Sequence, residues 1–480
     1  MKRTKIVCTL GPATNNRETI EKLIDAGMNA IRLNFSHLTP EEAIDSIKLI
    51  KQIRKERNVA LSLILDTKGP EVRVYGYKEP IKIEANSIFV IKSYEKDDIA
   101  STLSGEEDVL LTNLPYIGKL VKVGQKVLMM DGFLEAHVVE VIDENTIKVS
   151  FTNSGLLKSA AHLSIPHINY GLKFLSQKDK QDIAFAIQNE FEYIALSFVS
   201  SKEDLLEVKK LIETIDKSSK TKLISKIENK KAVDNIEQII EHSDGIMVAR
   251  GDLGVENDIE KVPVIQKRII RLCYSSGKPV ITATQMLESM IDNPIPTRAE
   301  ASDVANAVYD LSSAVMLSGE TAIGKFPIRV VETMTKIIKE VENSLDFNDI
   351  LTKLTRMPAN PDITTAIATR AVHIAYDINA KAIVVVTTSG YAARMVSKVR
   401  PKLPIIAYTF DFITYNQLAL NWGVFPRIIE KCDLFEELIK IIRKDILKLN
   451  LVEKGDNIIL VSGLPIGKEG TTNSIRVEIV

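Results

Sequence analysis

Residues 193–250 read YIALSFVSSKEDLLEVKKLIETIDKSSKTKLISKIENKKAVDNIEQIIEHSDGIMVAR. Three short β-branched runs, YIALSFV (193–199), KLISKIE (222–228) and GIMVAR (245–250), are separated by longer stretches such as the amphipathic 202–215. Strands joined by helical crossovers pair in parallel with right-handed connections. The rhythm extends both ways. KIVCT (5–9), AIRLNFS (30–36) and LSLILDT (61–67) precede it, and PVITAT (279–284) and AVMLS (314–318) follow. Amphipathic segments at 17–26, 40–56, 260–276 and 327–343 lie between. Eight such units predict an α/β chain built on a closed (β/α)8 TIM barrel.

One connection breaks the rhythm. Between LILDTKGP and a helix opened by Ser176 and Asp179 stand the short runs VRVYGY, IKIEA, IFVIK, KVLMMDGFLEAHVVEVI and TIKVSFTN, split by Gly, Asn and Asp. They predict a small all-β domain inserted in a barrel loop, placed to act as a lid. The polar stretch 348–362, with two prolines, predicts a linker. Beyond it, AIVVVTT (382–388), PIIAYT (404–409), GVFPRII (423–429) and NIILVSG (457–463) alternate with helical patterns at 363–377, 391–399 and 434–448. This predicts a separate three-layer α/β domain with 474–480 as an edge strand. The expected division is barrel 1–69, lid 70–168, barrel 169–345 and C-terminal domain 346–480.

A chain of 480 residues, 45% hydrophobic, has material for real cores, which excludes a disulfide mini-protein or a disordered chain. With 62 Lys+Arg against 63 Asp+Glu the net charge is -1, which gives no bulk case for nucleic acid or an anionic membrane. Cys8, Cys273 and Cys432 form neither a disulfide framework nor a zinc pattern. The apolar stretch IVCTL is too short for a signal peptide, and no run approaches a membrane span. A soluble cytoplasmic protein is expected.

The strands are not plain apolar runs. In 30–36, Arg32, Asn34 and Ser36 share one face by the two-residue period, opposite Ile31, Leu33 and Phe35. Lys226 and Glu228 share the inner face of their strand, and Thr282 and Thr284 are expected to share a face of theirs. Other strands run into Asp66-Thr67, Arg250-Gly251-Asp252 and Ser318-Gly-Glu320. All are C-terminal ends, where barrel active sites lie. Burying so many polar groups unpaired would cost a few kcal/mol each, which a small anion with cations would relieve. Glu228 and Asp252 are hard oxygen ligands that favour Mg²⁺ or Mn²⁺. Arg32, Lys226 and Arg73 suit phosphate or carboxylate. A lysine beside a divalent metal suits phosphoryl transfer or enolate stabilisation, and the GxxxxGK[ST] loop is missing.

The motifs KIVCTLGPAT, MNAIRLNFSH, LDTKGPEVR, SKIEN, MVARGDLGVE, TATQMLESM, PTRAEASDVANAV and MLSGETAIGKFP stand in this order along the chain. In them the chain resembles the pyruvate kinase family over essentially its full length. The resemblance implies transfer of phosphate from phosphoenolpyruvate to ADP, giving pyruvate and ATP, with Mg²⁺ and K⁺, in a homotetramer. By position, it implies that Arg32 holds the substrate phosphate and that Lys226 neutralises the phosphoryl group in transit and the enolate. Glu228 and Asp252 become the divalent-metal ligands, with Gly251 beside them at the substrate. Thr284 brings a hydroxyl near the enolate carbon. Asn34, Ser36, Asp66 and Thr67 resemble the K⁺ cage, with Asn34, His37 and Arg73 toward the nucleotide. Glu71 implies a K⁺ requirement, because in the family an acid there accompanies K⁺ dependence and a lysine accompanies independence.

Thr387, Thr388 and Ser389, before a helix in TTSGYAAR (387–394), suit a phosphorylated effector, either a sugar phosphate or a nucleotide monophosphate. The loop 463–473 resembles one that closes over such a ligand. The chain departs from the family where the lid returns to the barrel. A Lys-Lys-Gly-Val-Asn-Leu-Pro-Gly-like run is replaced by Lys158-Ser-Ala-Ala-His-Leu-Ser-Ile-Pro166, so Ala161 stands where a nucleotide-contacting lysine is expected.

Overall fold

The computed structural model describes the chain except residues 95–98, 100, 101, 103, 105, 107, 169, 355–360, 433 and 466–469. Strands Lys5–Thr9, Ala30–Asn34, Ser62–Asp66, Tyr193–Leu196, Lys222–Ile227, Gly245–Ala249, Val280–Ala283 and Ala314–Leu317 close into one parallel barrel. Ser62–Asp66 pairs directly with Tyr193–Leu196 across the insertion, with Asp66 beside Ala195. Alternate residues fill the interior: Val7, Ala30, Ile64, Tyr193, Ile224, Met247, Ile281 and Met316 form one buried cluster. Their neighbours face the surrounding helices in a larger one. Side chains of the inner parity therefore reach the C-terminal rim on every strand.

The insertion forms a barrel of its own. Seven strands close in the order Thr146–Phe151, Ile88–Ser93, Val109–Thr112, Arg73–Tyr75, Ala161–Ser164, Lys126–Met129 and Leu134–Asp143, around a separate apolar core. The chain leaves the main barrel through Gly69, whose φ of +70° leaves no room for a Cβ, since one would meet the Ser197 Cβ at 2.9 Å. The Gly69 N–H donates to Asp179 Oδ1 at 3.0 Å. Asp179 is also the third residue of the helix Gln177–Gln188, where it closes a capping box with Ser176. One carboxylate thus ties the exit to the lid and the first helix after its return.

The C-terminal sheet runs Val424–Ile428, Ile405–Thr409, Ala382–Val386, Asn457–Gly463 and Thr472–Ile479, the last antiparallel at the edge. Apolar clusters on both faces make three layers. This domain plugs the barrel floor. Leu420 is buried in the barrel's interior cluster. Asn416 accepts from the Leu61 N–H at 3.2 Å, and the Tyr193 hydroxyl donates to the Gln417 carbonyl at 3.0 Å.

Two expectations need correcting. The expected linker 348–362 begins with a helix, Phe347–Leu354, because Phe347 and Leu351 lie four apart and are buried, Phe347 beside Trp422. The middle of that stretch, 355–360, and residues 466–469 of the loop 463–473 lie outside the described residues. Thr282 and Thr284 do not share a face. Their strand ends at Ala283, Thr282 points outward to the Ser312 hydroxyl at 2.7 Å, and Thr284 turns at φ +65°.

Candidate active site

Asp66 sits at the centre of the rim, fully buried. Arg32 Nε donates to one of its oxygens at 2.5 Å and Lys226 Nζ to the other at 3.0 Å. Burial alone would raise the Asp66 pKa, but the Arg32 and Lys226 charges and hydrogen bonds outweigh it and hold it below the usual carboxylate value. Lys226 also donates to Ser197 Oγ at 2.7 Å and pairs with Glu228 at 3.0 Å. Burial disfavours its charge, yet Asp66 and Glu228 together push its pKa above the ordinary lysine value, so it stays an ammonium. Arg32 Nη1 donates to Thr9 Oγ1 at 3.0 Å.

Glu228 and Asp252 carry the opposite imbalance. Burial raises Glu228 to about 7; Lys226 only partly offsets this, and Asp252 adds repulsion. Asp252 rises to about 6, again chiefly by burial, with Asp131 and Glu71 of the lid adding negative charge. The Phe198 N–H donates to Glu228 Oε2 at 2.6 Å and fixes its orientation. Two hard carboxylates with too little positive charge between them fit a divalent cation. Among the described residues, no three or more His, Cys, Asp or Glu are grouped to hold an ion, so water or substrate oxygens would complete the shell.

Thr284 is a β-branched residue in the left-handed region, an uncommon conformation that its surroundings enforce. Arg250, whose Nη1 donates to both Asp303 oxygens at 2.8 and 2.6 Å, donates through Nη2 to the Thr284 carbonyl at 2.6 Å. The Thr284 hydroxyl accepts from the Gly251 N–H at 2.9 Å and donates to the Ala283 carbonyl at 2.6 Å. A helix, Arg250–Glu256, does open at this turn, but the Gly251 N–H is committed to Thr284.

The remaining expected residues divide. Asn34 lies beside Asp66 in register. Its strand ends there, so Ser36 and His37 fall in a turn, where the Ser36 N–H returns to Asn34 Oδ1 at 3.1 Å. Thr67 Oγ1 accepts from the Ser197 N–H at 3.2 Å. Arg73, on the lid, donates to Glu71 at 2.8 Å and to the Ala160 carbonyl at 2.6 Å. Ala161 is buried in the lid core, while His162 on the other face of the strand has its ring 6.3 Å from that of Phe198. In the C-terminal domain, the Gly390 N–H donates to Thr387 Oγ1 at 3.0 Å, Thr414 Oγ1 to the Thr388 carbonyl at 3.0 Å, and Arg394 to the Ser389 carbonyl at 3.2 Å.

Sequence reasoning passed over Ser197 and Thr9. Both were discoverable, since each continues the inner parity of its strand, as 193, 195, 197 and 5, 7, 9. It counted Glu320 among the functional rim, yet that carboxylate accepts from the Leu287 and Ser318 N–H groups at 3.2 and 2.7 Å and is 2% exposed, a structural task.

A parallel barrel with paired cations, a metal-ready carboxylate pair and a β lid at one rim defines an enzyme acting on a small phosphorylated anion. Residues 1–331 match the family model for the pyruvate kinase barrel domain, and residues 365–478 that for its alpha/beta domain. A pyruvate kinase of Staphylococcus epidermidis is 41% identical over 482 residues, covering all of this chain and 81% of that protein. One from Geobacillus stearothermophilus is 40% identical, with 100% and 80% covered. The crystal structure of a pyruvate kinase from Cryptosporidium parvum superposes with a TM-score of 0.92 at 37% identity, covering 100% of this chain and 96% of that one. The chain belongs to the pyruvate kinase family, and its activity is that of a phosphotransferase of this kind. Among the described residues no helix is long and apolar enough to cross a membrane.

Proposed function

We propose that the rim residues divide the pyruvate kinase reaction as follows. Phosphoenolpyruvate binds through its phosphate to Arg32 and Lys226 and through its carboxylate beside Gly251, Asp252 and Thr284. Arg73, His37 and Asn34 serve the nucleotide. A β-phosphate oxygen of ADP attacks phosphorus in line, the bond to the enol oxygen breaks, and Arg32 and Lys226 offset the charge in transit. Glu228 and Asp252 would hold a divalent cation, Mg²⁺ or Mn²⁺, which would supply further positive charge to the phosphoryl group in transit. Asn34, Ser36, Asp66 and Thr67 would hold K⁺, which would add a monovalent positive charge beside the phosphate. Lys226 holds the enolate oxygen while carbon takes a proton from water near Thr284. The Thr284 hydroxyl is a weak acid, and its proton already bonds the Ala283 carbonyl. The lid excludes water that would otherwise waste the phosphoryl group.

The observation that carries this reading is Lys226, buried and kept charged by Asp66 and Glu228, beside Arg32. Pyruvate formation measured with and without ADP tests it. A lyase acting on an enolate would release product without ADP, and a metabolite sensor would release none. As in its family, the chain acts as a cytoplasmic homotetramer, with Thr387, Thr388 and Ser389 as the effector site. Screening sugar phosphates and nucleotide monophosphates at subsaturating phosphoenolpyruvate checks that site. No response to any of them would remove it.

A further inference from the structure

A cavity of about 320 Å³ opens at the junction of the lid and the main barrel. Phe198 and Asn229 line it, while Arg32, Lys226, Glu228, Asp252 and Thr284 do not. Its apolar walls are Val72, Ile168, Tyr170, Leu172 and Phe198. Tyr170 is held in place, its hydroxyl accepting from the Ile165 N–H at 2.7 Å. Two aromatic rings and three aliphatic side chains suit a flat ring system, and the volume is at the lower end of the range for small-molecule pockets.

The polar edge has a sign. Lys230 and Lys231 line it, both exposed, and neither is in an ion pair among the described residues. His162, His167 and Asn229 add polar side chains, the Asn229 amide donating to Ser200 Oγ at 3.3 Å. Two carboxylates also face the cavity. Glu256 accepts from the Ser164 hydroxyl and its pKa is raised, chiefly by burial. Asp234 is exposed to water on the same turn as the lysines. Neither carboxylate claims the two ammonium groups.

The cavity also spans both crossings between the two barrels. Pro70 and Val72 belong to the outgoing segment, His167, Ile168, Tyr170 and Leu172 to the returning one, and Phe198, Ser200 and Asn229 to the main barrel. An occupant would touch all three and resist any rotation of the lid.

We infer that this cavity is a binding site, separate from the substrate site, for a planar aromatic anion whose occupancy holds the lid against the barrel. Rings lie between Tyr170 and Phe198, and the anionic group meets Lys230 and Lys231. Because substrates enter and products leave as the lid moves, occupancy lowers kcat without raising the KM for ADP.

The test uses anilinonaphthalene sulfonate, a fluorescent aromatic anion, on the full-length protein. Expected are saturable fluorescence at one site per chain, persistence of that signal at saturating ADP, and a fall in kcat along the same saturation curve. Leu172→Trp, which fills the cavity, should weaken binding about tenfold or more. The surface change Lys230→Glu with Lys231→Glu should do likewise by reversing the edge charge. Neither alters a residue of the transfer site, so unliganded turnover should persist. If Leu172→Trp misfolds, the lysine pair alone decides. Absence of binding, displacement of the probe by ADP, or binding unchanged in the lysine variant would each overturn the assignment.

Discussion

Lys226→Met removes a charge while keeping an unbranched side chain of similar length. In the native site Nζ satisfies three groups: Asp66 and Glu228, each at 3.0 Å, and Ser197 at 2.7 Å. Its loss leaves none of them wholly stranded. Asp66 keeps Arg32, and Glu228, already at about 7, keeps the Phe198 N–H and can take up a proton. Breaking a buried ion pair usually costs about 3–5 kcal/mol, and these remaining partners should keep the loss near the low end. The catalytic cost is larger. One preorganised cation at a transferring phosphoryl group is worth about 4 kcal/mol, or about a thousandfold in rate. The measurement pairs a thermal melt with pyruvate formation followed by a coupled dehydrogenase. A folded variant turning over near the native rate would refute the role given to Lys226.

Glu228→Gln and Asp252→Asn should each raise the Mg²⁺ or Mn²⁺ concentration for half-maximal rate, and unchanged titrations in both would refute the ligand pair. Raised carboxyl pKa values mean that the metal-free fold binds more protons than the unfolded chain. The stabilisation is therefore complete below about 4 and lost as pH rises through about 6 to about 7. Melting of metal-free protein between about pH 5 and about pH 8 should show that loss, and Glu228→Gln should flatten it. Glu71→Lys should reduce the K⁺ requirement, read as initial rate in tetramethylammonium buffer with K⁺ added at constant ionic strength. Native activity that is full without K⁺ or NH₄⁺ would sink the cage. Leu420→Ala should cost about 2–5 kcal/mol in a denaturant titration, the usual range for a buried leucine, and a loss below about 1 kcal/mol would mean that the barrel floor does not depend on it.

The barrel was legible because its strands alternate in a two-residue period that sorts core from rim. Lys226, Glu228 and Arg32 stood out as charges on an otherwise apolar parity. Ser197 and Thr9 share that parity, but a hydroxyl is too small a departure from an apolar run to draw notice. Thr284 does not share the face of Thr282 because parity holds only while the strand continues, and Ala283 ends it. The helix Phe347–Leu354 hid in a polar composition, since two buried side chains four apart suffice to dock one turn against Trp422. Closure of the lid strands into a second barrel, and the burial of Leu420 beneath the first, rest on partners remote in the chain, which local pattern does not encode.

The pairing of Ser62–Asp66 with Tyr193–Leu196 joins residues about 130 positions apart. For a refolding chain, that is the dearest closure between successive strands of the main barrel if the intervening segment is still a random coil. Once the inserted strands have closed on their own core, the ends at Gly69 and Asp179 are delivered side by side, and the remaining search shrinks to the span of two short crossings. The same inserted segment would then act, during synthesis, as an internal clamp on which completion of the barrel waits. Excising it behind a short turn should leave a barrel that closes faster than the native one.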